Sequence, residues 1–379
     1  MTIEPLTAVL AVILLLMALI TPLMNPFFRR PRREDADAGA TEQSPVTVLL
    51  VSNGDHIALD EHLPIYLTQE YTPGYNIVVV TEKADLETEN VLKRYSNNDR
   101  LYHTFVPESS RYMSKSKLAI TLGVKASQNE WIVLTDPRCK PSGSQWLSSL
   151  SSSLNSHSNM VLGYCNYADE SSGYHRFERL HTALYQMREA QKGRAYATNC
   201  PYVAFRKSEF LERNGFLEYL KYSIGEYDFL VDKYARLGHT ETALGESSWL
   251  IENAVSDKTW QNRQVYAHEV DRHLEGGAWA RLLHGLDQWA LHLNYLLILL
   301  TGVFAGLTSR WILLGASVAA LAITLTLRIL IGRKALSEYH VQIPSWKIIP
   351  MEISMLRHNI LTRLRYEYAD KNDFISHKV

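Results

Sequence analysis

The residues of this chain whose types and spacing suit them for chemistry are acids and cations at the ends of strands and helices. Asp136 closes the apolar run Trp131-Ile132-Val133-Leu134 and is followed by Pro137 and Arg138. A strand-end carboxylate can help to hold a divalent cation that bridges phosphate oxygens, a task one acid performs poorly without help. A guanidinium two residues on can pair bidentately with phosphate oxygens and carry the compensating charge itself. Asp136 also suits a turn cap ahead of Pro137. Glu226 and Asp228, one residue apart, precede Phe229-Leu230-Val231 in a run that spacing continues as a helix to Gly238, so the pair suits an acidic first turn. Ser52-Asn53-Gly54-Asp55 and Thr81-Glu82-Lys83-Ala84-Asp85 each follow a strand. Each reads equally as a turn or helix N-cap and as a set of groups reaching toward a ligand.

Two other chemistries are set aside. Cys139, Cys165 and Cys200 are scattered, odd in number and without metal-ligand spacing, which suits a reducing compartment. His268-Glu269 with His273 resembles a zinc-protease helix only superficially, because five residues turn a helix through roughly 500° and the two rings diverge by ~140°.

The elements that must position these residues alternate. Val46–Val51 is a nearly continuous apolar, β-rich run, as a buried parallel strand should be. A helix over 60–70, a strand over 75–80, a helix over 84–95, a strand over 101–106, a helix over 116–126 and the strand 131–134 follow. Four such alternations predict right-handed crossovers, a mostly parallel sheet, and ligands beyond the C-terminal ends of its strands. The serine-rich stretch 148–158 reads as a solvated helix face and loop.

Three runs are too long and too apolar for that domain: Leu6–Phe28, Trp289–Leu307 and Trp311–Ile331. Each supplies the roughly 20 apolar residues that cross a ~30 Å hydrocarbon layer. Arg29, Arg30, Arg32 and Arg33 follow the first run directly, while 1–5 carry no Lys or Arg. The positive-inside rule then places the N-terminus outside and the following domain in the cytoplasm. Thr308-Ser309-Arg310 turns the second run into the third, and Arg328, Arg333 and Lys334 agree with a return to the starting side. The Arg29–Arg33 cluster is expected against anionic lipid headgroups. Residues 346–368 mix apolar side chains with Lys347, Arg357, Arg363 and Arg365, a pattern suited to lying on the cytoplasmic leaflet. With 39 basic against 40 acidic residues, bulk charge suggests no nucleic-acid partner.

The helix Lys115-Ser116-Lys117-Leu118-Ala119-Ile120, the run from Asn129 through Asp136-Pro137-Arg138 to Pro141, the block Asn199–Lys207 near Gly215-Phe216, and Gly225-Glu226-Tyr227-Asp228-Phe229-Leu230 together resemble, in order and spacing, the family 2 glycosyltransferases of GT-A fold. The resemblance covers about residues 45–272, and the flanking apolar runs look like those of bacterial membrane-anchored members. It implies an α/β fold, a GT-A Rossmann-like domain with a mostly parallel sheet, carried with three transmembrane helices. It implies an inverting transferase that moves a sugar from a nucleotide-sugar donor to a membrane-associated glycan or lipid-linked acceptor, at the bacterial inner membrane.

The resemblance makes Asp228 first, and Glu226 second, the base that takes the acceptor proton. It places donor contacts at Ser52, Asn53, Glu82, Asp85, Lys117, Asp136 and Arg138, although a solvated lysine is an equal reading of Lys117. Asp136 would be the first acid of the family's D-x-D and a metal ligand for Mg2+ or Mn2+, but Arg138 stands where the second acid belongs, which leaves divalent-cation use open. Asn199, Trp260 and Arg263 are the acceptor candidates; Trp260 and Arg263 occupy the place where processive members carry Q-x-x-R-W, in a different order, and 258–266 also reads as an interfacial helix running into the membrane.

The expected organisation is an anchor over 1–28, a linker over 29–45, the GT-A domain over 46–272, an interfacial helix over 273–288, a transmembrane hairpin over 289–331 and an amphipathic tail over 332–379. Two competitors remain. One is a catalytically inactive scaffold of the same fold. The other is a sugar-phosphate nucleotidyltransferase, disfavoured because Ser52-Asn53-Gly54-Asp55 is not a Gly-rich basic loop.

Overall fold

The structure is a computed structural model that describes residues 5–32, 43–107, 114–235 and 239–374. The expected linker over 29–45, Arg33 of the basic cluster and the helix end at Gly238 fall wholly or partly outside the described residues.

In chain order the elements begin with α1 (Pro5–Met24), β1 (Val46–Val51), α2 (His56–Leu67), β2 (Tyr75–Glu82), α3 (Leu86–Arg94), β3 (Leu101–Val106), α4 (Lys115–Ala126) and β4 (Trp131–Thr135). There follow β5 (Cys139–Pro141), α5 (Trp146–Ser151), β6 (Met160–Gly163), β7 (Cys165–Tyr167), α6 (Gly173–Gln191), β8 (Tyr202–Arg206), α7 (Lys207–Glu212) and α8 (Glu226–Tyr234). The chain continues through β9 (Thr240–Ala243), β10 (Leu250–Glu252), α9 (Asp257–Asp271), α10 (Ala278–Leu307), α11 (Trp311–Glu338) and α12 (Ser345–Tyr368). These form two compact units. One holds α1, α10, α11, residues 176–185 and α12 through Leu361; the other holds both sheets and their helices.

In the second unit seven strands run in the order β3-β2-β1-β4-β8-β6-β9. β1 pairs in parallel with β2 and β4, and β2 with β3, while β8 is antiparallel to both neighbours. The sheet is therefore mostly parallel, as the alternation predicts. β1 and β4 are apolar apart from Thr, β2 adds only Asn76 and Glu82 toward its two ends, and all three are almost entirely buried, which is what a strand covered by helices on both faces requires. Gly123 of α4 lets that helix sit on the sheet, since a Cβ there would fall 2.2 Å from Leu49. A second sheet, β5-β10-β7, joins two strands just beyond Asp136 and Tyr164 to one just before α9. Its strands are three residues each, too short to leave a period in the sequence.

In the first unit α1, α10 and α11 are each long and apolar enough to cross a membrane. α1 ends at Met24 rather than at Phe28, because Asn25 turns the chain by accepting the Phe27 N–H at 2.8 Å. α10 runs unbroken for 30 residues from Ala278. The stretch expected as a separate interfacial helix over 273–288 thus contributes its last three turns to α10, since the single Gly285 between Ala278 and Trp289 weakens a helix without ending it. The break lies earlier, at Gly276-Gly277, where Gly277 takes φ +72°. α9 accordingly stops at Asp271, with Trp260, Val265 and Val270 buried in its own unit.

Candidate functional site

The ligand edge is built at the C-terminal ends of β1 and β4. The turn after β4 is held from several sides: His62 Nδ1 donates to the Pro137 carbonyl at 2.8 Å, Tyr66 Oη to the Cys139 carbonyl at 2.7 Å, and the Asn253 N–H to the Arg138 carbonyl at 2.9 Å. Within that turn Arg138 folds back on Asp136. Its backbone N–H and Nε donate to Asp136 Oδ1 at 2.9 and 2.8 Å, and Nη2 donates to Oδ2 at 2.6 Å. Burial alone would raise the Asp136 carboxyl, but the hydrogen bonds and charge of Arg138 outweigh it and hold the group below the usual carboxylate range.

Asp55, after β1, lies 3.9 Å from Arg138 Nε. Its pKa is raised, first by burial and then by the charge of Asp136, with Arg138 pulling the other way. From α9, Arg263 Nη1 donates to Glu252 at 2.5 Å and to the Tyr167 hydroxyl at 3.4 Å, and its charge is felt at both Asp55 and Asp136. Three acids and two guanidinium groups therefore alternate around this edge.

The second half of the site is α8. Gly225 caps its N-terminus at φ +81°, and Asp228 in its first turn accepts the Thr198 N–H at 3.1 Å. The Asp228 carboxyl is pushed up to about 7, first by burial and then by the charge of Asp271, with the Thr198 hydrogen bond opposing the rise. Tyr227 ties α8 to the ligand edge: its phenol is raised well above its ordinary value by burial, then by the charges of Asp136 and Glu226, with Arg138 acting in the opposite sense. The sequence reading passed over Tyr227, since an aromatic between two acids reads as the apolar side of a helix. Pushed up also is Asp55, the last residue of the Ser52-Asn53-Gly54-Asp55 segment that the sequence reads equally as a turn and as groups reaching toward a ligand.

The remaining expected residues divide. Asn53 and Glu82 do sit at the strand ends, Asn53 Nδ2 donating to Ser116 Oγ at 3.2 Å and Glu82 accepting from Lys115 Nζ at 2.6 Å. Asn199 adjoins Thr198, and its N–H donates to Gln186 at 2.8 Å. Four others hold the fold instead. Ser52 is buried, with its hydroxyl 3.4 Å from that of Thr88. Both Asp85 oxygens are spent on capping α3, through the Thr88 N–H at 3.0 Å and hydroxyl at 2.6 Å. Lys117 is fully buried and donates to the Tyr222 and Ile224 carbonyls at 2.6 and 2.7 Å, so it braces the approach to α8 rather than a diphosphate. Trp260 is buried and stacked on the His175 ring, 4.6 Å away and nearly parallel to it, and so presents no open face to an acceptor.

The donor set left at this edge does not suit a hard divalent cation. Such an ion favours several uncompensated carboxylate oxygens, whereas both oxygens of Asp136 already accept from Arg138, whose positive charge opposes a second cation. Among the described residues the one grouping of three metal-ligating side chains is Cys139, Cys165 and Glu252, all buried, and Glu252 is already tied to Arg263.

No family model matches the chain, and no curated protein matches it in sequence. Among solved structures it is similar to the mannosyltransferase PcManGT from Pyrobaculum calidifontis, in complex with GDP-Man and Mn2+, with a TM-score of 0.51 at 16% identity over 96% of this chain and 99% of that one. A further likeness is to residues 1–349 of TarS from S. aureus in complex with UDP-GlcNAc, with a TM-score of 0.44 at 12% identity over 83% of this chain and 92% of that one. At such identities the mannosyltransferase likeness speaks for the fold, and the chain has a mixed α/β, GT-A-like fold accompanied by three helices long and apolar enough to cross a membrane.

Proposed function

We propose that the chain is an inverting glycosyltransferase of the family 2 type, moving a sugar from a nucleotide-sugar donor to a membrane-associated glycan or lipid-linked acceptor. The observation that carries this reading is Asp228. It sits at a helix start beside the ligand edge of a GT-A-like sheet, with a carboxyl pushed up to about 7, near where a general base works best. In the proposed reaction its carboxylate takes the proton of an acceptor hydroxyl as that oxygen attacks the anomeric carbon. The bond from that carbon to the diphosphate oxygen breaks, and its electron pair leaves with the nucleoside diphosphate. One attack by one activated hydroxyl inverts the anomeric centre.

The neighbouring structure that binds GDP-Man supports a nucleotide-sugar donor, and its Mn2+ gives the precedent for a divalent cation in this fold. The three apolar helices support a membrane-bound acceptor, with the catalytic unit proposed to face the cytoplasm of a bacterial cell and to serve polysaccharide or envelope synthesis. α12 exposes Trp346, Ile353, Ile360 and Leu364 among its basic residues, which suits contact with anionic lipid headgroups.

The test is donor consumption by the detergent-solubilised full chain against a panel of nucleotide sugars. One donor should turn over, with a rate that rises as pH passes through about 7 and then levels, because the base must be deprotonated. Asp228→Asn should lower that rate by about a hundredfold or more and remove the rising limb. If Asp228→Asn keeps both the rate and the limb, Asp228 is not the base and Glu226 takes its place. If no nucleotide sugar is consumed, the inactive scaffold replaces the enzyme.

A further inference from the structure

Three carboxylates at the ligand edge, Asp136, Glu252 and Asp55, each face a guanidinium. Arg138 wraps Asp136 through its Nε–Nη2 edge, Arg263 closes on Glu252, and Asp55 has Arg138 Nε as its nearest cation at 3.9 Å. The planar guanidinium has a second edge, and Arg138 Nη1 makes no hydrogen bond among the described residues. The Arg138 side chain is also the more open of the pair, 34% exposed against 16% for Asp136. A ligand arriving from solvent therefore meets a free guanidinium edge with the carboxylate behind it.

A D-x-D pair would present two carboxylates here. The Asp-Pro-Arg turn presents one carboxylate already bound to a cation, and a metal ion arriving on Asp136 would have to share oxygens that already accept three hydrogen bonds from Arg138, beside its positive charge. The fork of an arginine can instead hold a carboxylate on one edge and a phosphate on the other, with little left to organise when the phosphate arrives.

We propose that Arg138 itself receives the donor's diphosphate, and that Asp136 is a positioning residue that clamps one edge of the Arg138 fork so that the other faces the phosphate oxygens. This rests on the glycosyltransferase reading. When the anomeric carbon–oxygen bond breaks, the electron pair goes to the diphosphate oxygen and the new charge is taken up by the Arg138 N–H groups, while the acceptor proton goes to Asp228. Metal is then dispensable for binding the nucleoside diphosphate.

Calorimetric titration of the full chain in detergent with UDP and with GDP tests this, in EDTA and in Mn2+. For whichever nucleotide binds, the Kd should agree within about twofold between the two conditions. Arg138→Ala should weaken binding at least tenfold with no rescue by Mn2+, and Arg138→Lys, which keeps the charge without the fork, should weaken it severalfold if the alanine variant does not fold. Asp136→Asn should weaken UDP or GDP severalfold yet leave the matching monophosphate little changed, a difference that general loosening of the site would not produce. Binding by the wild type that is lost in EDTA and restored by Mn2+ overturns the proposal while leaving the transferase reading intact. Failure of both nucleotides to bind in either condition overturns both.

Discussion

Lys117 shows how a single side chain can be read wrongly from its type and rightly from its surroundings. A lysine opening a helix at the ligand edge looks like a phosphate contact, yet its ammonium is enclosed between two carbonyls and lies 5.4 Å from the Phe229 ring centre. Burial pushes its pKa down from 10.5 to about 8, with the Glu226 charge only partly opposing that fall. In the unfolded chain the amine keeps its proton up to about pH 10.5, whereas in the folded chain it does so only to about 8. Between those values the unfolded state binds more protons, so this residue's contribution to stability rises with pH across that window; below pH 8 both states are charged and the burial cost is present in full. The shift corresponds to roughly 3 kcal/mol at most. Melting curves of wild type and Lys117→Met at pH 7, 9 and 10 should therefore diverge in favour of wild type as pH rises. A difference that stays constant with pH would mean that the ammonium is not held as the structure has it. What was legible in advance was chain position, such as Asp136 directly after the end of β4. Tyr227 was missed, and Asp55 was not singled out within its segment, because beyond burial the charges of Asp136 and Arg138 that act on both are supplied by other elements.

Among the elements, the first half of the sheet was legible because buried parallel strands separated by helices leave an unambiguous alternation. β8 was not, since nothing in Tyr202–Arg206 distinguishes a strand that enters the sheet antiparallel from one that enters parallel. α8 is the element on which the site depends most, and Gly225 sets its start. At φ +81° a side chain is strained, and a Cβ would fall 2.6 Å from Val270 Cγ2 and 3.0 Å from Phe229. Gly225→Ala combines a left-handed backbone cost of ~1–2 kcal/mol with overpacking of ~1–3 kcal/mol. The melting temperature should fall by several degrees, and donor turnover should fall further than the loss of folded protein explains, because α8 carries Asp228. A variant that melts and turns over like wild type would show that the start of α8 moves freely without consequence for the site.

At the scale of the whole molecule, the apolar helices were legible from length and composition, while the reason they hold together was not. Arg328 lies on α11, a helix otherwise suited to lipid, and is fully buried. An ionised side chain in such a segment is expensive unless it is paired inside the bundle. Arg328 Nη1 donates to Glu352 of α12 at 3.1 Å, and Nη2 to the Thr21 carbonyl of α1 at 3.0 Å and to Asp287 of α10 at 3.4 Å. Asn25 Nδ2 completes the group by donating to Glu352 at 2.5 Å. One guanidinium thus joins three consecutive helices to the distant α1, which no hydropathy pattern reveals. Removing a single partner of a buried pair leaves the other charge uncompensated and costs about 3–5 kcal/mol, whereas removing both can be close to neutral. Arg328→Met alone should therefore lower the melting temperature of the detergent-solubilised chain markedly, by more than Arg328→Met combined with Glu352→Gln and Asp287→Asn. If the triple variant is instead the least stable of the set, the cluster works as independent hydrogen bonds and not as charge compensation. In either case the nucleotide affinity of the folded fraction should stay at the wild-type value, since none of these residues belongs to the ligand edge of the sheet.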